Sequence, residues 1–400
     1  MTEPATEPVT VPTRQPEPVP GLSPTGGALR WTDLDRGWRG LVLETDEVSV
    51  TVLPDKGCDI YAFVDRATDI DVLWKTPWGL PARDGTAWSG DSATAWLERY
   101  PGGWQVLCPN GGAASPAPGG VTWGFHGEAC LLPWTITASS AVGGGGTEPT
   151  GRPWVELSVR LQRAPVRLNR RLSLSGSVLT LTESVTNTSP DPLEIMWSHH
   201  PAFGAPLVEP GARITSGARR VVADDGAPGT DLAAGSEHPW PAATAADGTP
   251  IDLSVIPSDA MPRATFAYLT DMDDGWFAIT NPVRRLGVGL RWDAEVFEHA
   301  WFWQEMHASA GHPWWREAYV CAIEPATTIP GQGIETARAK GGRPLRLAGG
   351  ETRTAQIEAV LFEPRGPVSG IGPGGDVWFG TEQTGTGEGA TTETVATEGA

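Results

Sequence analysis

Two adjacent histidines, His199 and His200, have the residue type and spacing best suited to proton transfer or metal binding in this sequence. They follow the apolar run 193–197 and precede Pro201 and Gly204. This pattern predicts a strand that ends by presenting imidazoles at a sheet edge. An imidazole titrates near neutrality and can transfer a proton or bind a metal. The alternative is that one histidine is a hydrogen-bonded core residue and the other is solvated.

Two further stretches have the same character, one around His126 and one around Glu324. His126 lies in a Gly-Phe-His-Gly-Glu sequence, and Glu324 follows a strand-like apolar run and precedes a proline. Each could therefore lie at a sheet rim facing a common cleft. A carboxyl group buried there without a partner is costly. Either a basic residue such as Arg316 or Arg338 pairs with Glu324, or the desolvated carboxyl has a basicity suited to proton abstraction.

Short alternating segments predict the strands that would position these groups. Residues 48–52, 155–161 and 178–182 alternate apolar and polar side chains with the period of a half-buried strand. Residues 75–120 are predicted to be mostly loop, and their tryptophans favour a functional loop over disorder. No long amphipathic helix is predicted, because 50 glycines and 37 prolines interrupt most candidates. Many short strands separated by turn signals indicate an all-β, antiparallel sandwich or barrel.

The two ends of the chain differ in composition from its body. Residues 1–21 are rich in Pro and Glu, and residues 365–400 are rich in Gly, Thr and Glu. Neither end can bury enough apolar surface to offset its ordering entropy, so both are predicted to be disordered tails. Residues 22–364 contain no obvious linker and are predicted to form one large domain.

Charge and cysteine content exclude several classes of function. The net charge is −19, from 48 acidic and 29 basic residues, so electrostatic repulsion disfavours nucleic acid and anionic membranes as partners. The four cysteines show no CxxC spacing, which favours reduced thiols and a cytoplasmic location. No secretory signal or membrane span is predicted. The 19 tryptophans include rings that could stack on the apolar faces of sugars, although a tryptophan is more often a core residue.

The order of these motifs resembles the aldose 1-epimerase (galactose mutarotase) superfamily. The resemblance rests on His126-Gly, then His200-x-x-Phe203-Gly, then a Cys-x-Ile-Glu-Pro segment that contains Glu324. The early turn at 53–60 and the Leu-rich, Gly-Glu segment at 345–352 resemble family segments too, so the similarity spans about residues 30–364. It implies a galactose mutarotase-like β-supersandwich of antiparallel sheets, in a poorly characterised, DUF4432-like branch.

The resemblance implies acid–base chemistry at the anomeric carbon. Glu324 would take the proton of the anomeric hydroxyl while His200 protonates the ring oxygen, and the roles would reverse after the opened chain rotates. His126 would contact the sugar near its ring oxygen. The remaining predicted substrate contacts are Asn110, His199, Trp303 and Gln304. The resemblance implies that no metal, nucleophile or cofactor is required. The expected partner is a small-molecule sugar, bound by a monomer or homodimer. For Trp303 the alternative is a buried aromatic strand residue.

Two departures from the family pattern leave other functions open. Gly111 follows Asn110 where the family has a sugar-binding Arg, and Ala202 stands where many members carry an aromatic residue. A non-catalytic carbohydrate-binding or sensing protein on the same fold is therefore the main alternative. A metal-dependent sugar isomerase that uses His126, His199, His200 and Glu324 as ligands ranks lower. Adjacent histidines point to opposite faces of a strand and rarely share one ion.

Overall fold

The computed structural model describes residues 28–85, 90–140, 151–227 and 229–380, and these fold mainly as antiparallel β-structure. Two short α-helices accompany the strands, α1 (Ser92–Leu97) and α2 (Ile334–Ala339). The predicted tail at 1–21 and the last part of the predicted C-terminal tail, 381–400, lie outside the described residues. Neither helix has the length and apolar character needed to cross a lipid bilayer.

The strands of the first half of the chain are β1 Ala28–Asp33, β2 Arg39–Glu44, β3 Val48–Leu53, β4 Asp59–Asp65, β5 Ile70–Asp71, β6 Trp104–Leu107, β7 Ser115–Pro116, β8 Thr122–Trp123, β9 Thr135–Ser139, β10 Trp154–Arg160, β11 Val166–Ser175, β12 Val178–Asn187, β13 Leu193–Ile195 and β14 Ser198–Phe203. Those of the second half are β15 Arg213–Ser216, β16 Arg220–Ala223, β17 Glu237–Pro239, β18 Ala242–Thr244, β19 Pro250–Asp252, β20 Arg263–Thr270, β21 Gly275–Asn281, β22 Leu286–Trp292, β23 His299–Met306, β24 Tyr319–Ala326, β25 Leu345–Leu347, β26 Thr352–Phe362, β27 Val368–Ile371 and β28 Val377–Phe379.

Two large sheets dominate the architecture. The first has 12 strands in the order β1-β2-β3-β4-β6-β14-β24-β23-β20-β16-β17, with β5 paired to β4. The second has 8 strands in the order β15-β21-β22-β26-β12-β11-β10-β9. One apolar core draws on both sheets, including Leu43 and Val50 from the first and Leu172 and Leu181 from the second. The predicted all-β sandwich of antiparallel sheets is therefore confirmed.

Period-two sequences form the strands of the second sheet. In β10, β11 and β12, buried Val and Leu side chains alternate with more exposed polar ones. Burying the apolar set against the other sheet fixes the register, because a slip by one residue would reverse the faces. A tight turn at Gly176 joins β11 to β12 and pairs Ser175 with Val178. The predicted strands at 155–161 and 178–182 are present.

The middle of the first sheet differs because both of its faces are covered. Every residue of β14 is buried, and β6 and β24 flank this strand on its two sides. The histidine pair therefore lies within a central strand that begins at Ser198. The prediction of a strand ending at His199 and His200 on a sheet edge was wrong, because the apolar run before them is short strand β13 followed by a break.

Two segments predicted to lack regular structure are partly ordered. The Trp-rich stretch 75–120 contains α1, capped by the Asp91 side chain on Thr94 N, and also the central strand β6. The predicted disorder from residue 365 was wrong for 365–380. There β27 and β28 form a hairpin whose Val368 and Ile371 pack against Ala278 and Val360. A few apolar residues in a Gly-rich sequence are enough for this hairpin because the second sheet supplies the other half of its core.

Candidate active site

A cavity of about 730 Å³ lies over the middle strands of the first sheet. Its wall is rich in aromatic rings, which include Trp96, Tyr100, Phe266, Trp301 and Trp303. The polar groups that converge on it include His126, His200 and Glu324. A concave, largely apolar space with a few converging polar groups is the usual form of a small-molecule site.

His200 and Glu324 meet because their strands are neighbours. The antiparallel register of β14 and β24 pairs Ser198 with Ala326 and Ala202 with Ala322, which puts His200 opposite Glu324. The two side chains are nearly inaccessible to solvent, and His200 Nε2 lies 3.6 Å from Glu324 Oε1. The second carboxyl oxygen, Oε2, has no hydrogen-bond partner among the described residues. The pair is thus in contact through one carboxyl oxygen, while the other carboxyl oxygen is buried without a hydrogen bond.

Burial sets the resting charge of this pair. Removal from water raises the pKa of Glu324 well above its usual value. Burial likewise lowers the pKa of His200 to about 4. Burial therefore favours the neutral carboxylic acid of Glu324 and the neutral imidazole of His200. This is the reverse of the resting protonation that the family resemblance implies, in which Glu324 is the base.

Tyr100 completes the surroundings of the His200 ring. Its hydroxyl oxygen lies 3.4 Å from His200 Nδ1, and its ring stacks on Trp96 at a centroid distance of 4.6 Å. Which of these two atoms donates depends on the tautomer of His200. Burial raises the pKa of Tyr100 well above its usual value, which keeps the phenol neutral. Tyr100 therefore orients His200 from the side away from Glu324.

His126 reaches the same cavity from a tight turn. Its backbone has φ 57°, and Gly127 follows with φ 74°, where an added Cβ would lie 2.3 Å from the Cys108 carbonyl oxygen. The Gly112 N–H donates to His126 Nδ1 at 3.0 Å. Burial, and next the proximity of His200, lower the pKa of His126 well below its usual value. His126 is thus a neutral imidazole beside the pair, with a ring centroid 6.0 Å from that of His200.

Trp303 lies in the cavity wall as predicted, but Gln304 presents its side chain elsewhere. The Trp303 ring centroid is 5.8 Å from that of His200. Successive side chains of a strand point to opposite faces, so the fully buried Gln304 side chain lies on the other face, opposite Cys321 of β24. The predicted contact between the Gln304 amide and a ligand does not fit this placement, although the residue forms part of the cavity wall.

His199 is separated from the cavity by its own strand. Trp104 Nε1–H donates to His199 Nδ1 at 3.1 Å, and His199 Nε2 lies 3.0 Å from Glu183 Oε2 of the second sheet. Burial opposes ionisation of Glu183, but Arg170 and then His199 lower its pKa to about 2. This placement does not support the predicted substrate contact of His199, and it separates His199 from the other residues of the four-ligand metal alternative. Within the described ranges, no three His, Cys, Asp or Glu side chains are grouped to hold a metal ion.

Asn110 is also a structural residue. Its amide donates to the carbonyl oxygens of Ala113 and Gly124 at 2.8 and 3.0 Å, and its oxygen accepts from Ile334 N at 2.9 Å. The side chain thereby joins three loops, and all of its hydrogen-bonding groups are engaged below the cavity wall. The predicted sugar contact of Asn110 does not fit this arrangement.

Gly111, which stands where the family has an Arg, is required by Trp301. A Cβ at position 111 would lie 2.5 Å from Trp301 Cη2. The Trp301 ring is itself fixed because its Nε1–H donates to Thr328 O at 2.9 Å. A large aromatic side chain thus occupies the space into which a longer residue 111 would extend, and no arginine can lie there.

Several cavity residues escaped the sequence analysis. Trp96 and Tyr100 come from α1 and the turn after it, inside the stretch predicted as loop. On the far side, the Asp224 carboxylate accepts hydrogen bonds from the Tyr268 hydroxyl and the Gln332 amide. His312 lines the cavity, whereas His307 Nδ1 is engaged with Arg316 O. The only sequence signal for these residues is the richness of the loops in tryptophan, which does not show which rings converge.

Comparison with known proteins identifies the family of this chain. The model of the domain of unknown function DUF4432 matches residues 35–361. No curated protein matches the chain.

Solved structures share the fold at 15% sequence identity. One is a candidate aldose 1-epimerase from Klebsiella pneumoniae subsp. pneumoniae MGH 78578, with a TM-score of 0.61 over 84% of this chain and 83% of that chain. Another is a galactose mutarotase-like protein from Clostridium acetobutylicum, with a TM-score of 0.57 over 85% and 99% of the two chains. The chain therefore belongs to the DUF4432 family, and its fold is that of the galactose mutarotase-like proteins.

Proposed function

We propose that the protein is an aldose 1-epimerase that interconverts the anomers of an aldose or aldose derivative. The contact between His200 Nε2 and Glu324 Oε1 at 3.6 Å carries this proposal. It places a proton donor and a proton acceptor side by side in a cavity large enough for a sugar. Ring opening needs one group to protonate the ring oxygen and another to take the proton of the anomeric hydroxyl. Both of these oxygens are bonded to the same carbon, so adjacent catalytic groups can reach them together.

The uncharged resting state defines the order of proton transfers. Glu324 enters as the carboxylic acid and gives its proton to the ring oxygen, while neutral His200 takes the proton of the anomeric hydroxyl. The ring bond at the anomeric carbon breaks and the aldehyde forms. After rotation about the adjacent carbon–carbon bond, the imidazolium returns its proton to the aldehyde oxygen. The carboxylate takes the proton of the attacking hydroxyl, so the starting pair is restored.

The surrounding residues support such a cycle. In the proposed cycle Nε2 is the proton acceptor, so Nδ1 carries the hydrogen and donates it to the Tyr100 oxygen 3.4 Å away. The aromatic wall lowers the local dielectric constant around the pair, which strengthens the electrostatic interactions there. A positioned acid or base contributes about 10²–10⁴-fold to the rate. These groups act without a cofactor in the mechanism proposed here.

A second candidate function is sugar binding without turnover. The observation that favours it is Gly111, because the clash of any longer residue with Trp301 removes the cation that the family uses to hold sugar hydroxyls. Both functions require a sugar in the cavity. They differ in whether removal of the Glu324 proton donor changes a rate.

Saturation-transfer NMR of anomeric exchange separates the two functions. A panel of free aldoses is measured with the wild type, with Glu324→Gln and with the control Glu363→Gln, which changes an exposed ion pair with Arg285. We expect the wild type and the control to accelerate exchange of at least one aldose, and Glu324→Gln to bind it without acceleration. Binding without acceleration by the wild type would overturn the epimerase proposal and favour the binding protein.

A further inference from the structure

An open cleft adjoins the cavity and shares part of its wall. This outer cleft has a volume of about 420 Å³, and its lining includes Arg36, Trp78, Arg99, Trp315 and Glu317. Three residues line the cleft and the cavity alike: Leu97, His312 and Pro313. A ligand bound at His200 and Glu324 could therefore extend from the cavity into the outer cleft and stay in contact with the protein.

The space available exceeds what one hexose fills. The cavity alone, at about 730 Å³, lies in the upper part of the range of roughly 300–1,000 Å³ that holds drug-sized ligands. A hexose has only about a dozen non-hydrogen atoms, fewer than the ligands typical of such pockets. The outer cleft adds more volume at one end. A single sugar ring would leave much of this site filled with water.

A continuous row of aromatic rings runs from the pair to the outer cleft. The ring centroid of Trp303 lies 5.8 Å from that of His200 and 5.5 Å from that of Trp314. Trp314 in turn stacks on Trp78 at 5.9 Å with an interplanar angle of 17°. Trp315 follows at the rim with 60% of its surface exposed. Trp78 and Trp314 cover one face of each other, so the exposed indole of the outer cleft is that of Trp315, and such a face suits the apolar face of a sugar ring.

The charges of the cavity disfavour an anionic group on the ring that reacts. Among the described residues, the cavity lining contains the carboxyl groups of Asp224, Glu305 and Glu324 but no Lys or Arg. The outer cleft is lined by two arginines and two glutamates, which balance each other. A phosphate or carboxylate would meet unfavourable carboxyl groups inside the cavity without a cation to offset them. Sugar hydroxyls, by contrast, can both donate to and accept from this mixture of groups.

We propose, resting on the epimerase function above, that the substrate is an uncharged reducing disaccharide. Its reducing sugar lies at His200 and Glu324, and its second ring extends along Trp314 into the outer cleft. The cavity then recognises the ring that opens, and the cleft provides affinity for the ring that does not react.

The test compares kcat/KM for the aldose turned over fastest, its 6-phosphate, and disaccharides in which a second hexose is linked to that aldose. We expect at least one disaccharide to exceed the free aldose about tenfold and the 6-phosphate to be poorest. Trp315→Ala should lower the ratio of disaccharide to aldose kcat/KM by about three- to tenfold. The control Trp378→Ala, at an equally exposed tryptophan of β28 outside both spaces, should leave the ratio unchanged.

A preference for the free aldose or its 6-phosphate, or an unchanged ratio in Trp315→Ala, would overturn the inference and leave the epimerase function in place. If no sugar is turned over, the epimerase proposal fails. Equilibrium binding of the same sugars then decides the substrate class, because tighter binding of a disaccharide than of its reducing aldose supports it and equal binding contradicts it.

Discussion

His199 and His200 are adjacent in sequence, but their rings lie on opposite faces of β14. His199 Nε2 is 3.0 Å from Glu183 Oε2 between the two sheets, and His200 Nε2 is 3.6 Å from Glu324 Oε1 in the cavity. One histidine therefore holds the strand against the second sheet, while the other is available to a ligand. The alternation of side chains along a strand dictates this division.

The pH dependence of turnover follows from the uncharged pair. Neutral His200 is required as the acceptor, and its pKa is lowered to about 4, so the rate should fall as the pH drops through about 4. Protonated Glu324 is required as the donor, and its pKa is raised well above the usual value, so the rate should fall again as the pH rises through that raised pKa. The profile of kcat/KM, which reports the acid and the base of the free enzyme, should be bell-shaped. A rate that rises steadily with pH would contradict an uncharged resting state of His200 and Glu324.

Tyr100→Phe should slow turnover without weakening sugar binding much. The change removes the oxygen that accepts from His200 Nδ1–H while it keeps the ring stacked on Trp96. We expect kcat to fall about three- to tenfold, the size of one hydrogen bond, with KM nearly unchanged. The control is Tyr319→Phe, which removes a hydrogen bond to Pro257 O outside the cavity. Equal effects of the two variants would show that Tyr100 does not orient His200.

Gly111→Ala should destabilise the protein because of Trp301. The new Cβ would lie 2.5 Å from Trp301 Cη2, so the ring must move or the loop must shift. Overpacking of this kind costs about 1–3 kcal/mol of unfolding free energy. Gly90→Ala is the control, since its Cβ would have nothing within 4 Å. Urea denaturation of both variants checks the prediction, and a neutral Gly111→Ala would refute the steric explanation for the missing arginine.

Glu183→Gln should be among the most destabilising polar substitutions. It leaves the guanidinium of Arg170 buried without its carboxylate, which costs about 3–5 kcal/mol. The exposed pair Arg285–Glu363 gives the control Glu363→Gln, with an expected loss of at most about 1 kcal/mol. Because the pKa of Glu183 is lowered to about 2, its contribution is present above the usual pKa of a glutamate. The difference between wild type and Glu183→Gln should therefore shrink as the pH falls toward 2 in denaturation curves.

The fold was accessible from the sequence wherever one face of a strand is buried. Residues 48–52 and 178–182 alternate, and they form β3 and β12. The same reasoning fails for β14 and β27. Both faces of β14 are covered, so its sequence carries no alternation, and β27 needs the second sheet before its few apolar residues can form a core. Contacts between distant parts of the chain determine such strands, and the local sequence pattern does not encode those contacts.

The site was predictable only in part, for a related reason. The order of motifs along the sequence identified four candidate residues that line the cavity, namely His126, His200, Trp303 and Glu324. The order does not reveal which way a side chain points. Asn110 turned out to join three loops, and the cavity groups of α1 were hidden in a segment without regular pattern. The direction of a side chain depends on strand register and turn geometry, and both are defined only in the assembled sheets.

The central claim is that His200 and Glu324 act as one proton-exchanging unit. The most direct test is the rate of anomeric exchange at saturating sugar for His200→Asn, Glu324→Gln and the double variant. Each single variant should lose about 10²–10⁴-fold, and the double variant should lose no more than the worse single one. If either single variant retains the wild-type rate, or if the two losses multiply in the double variant, the pair does not act as a unit and the account is wrong.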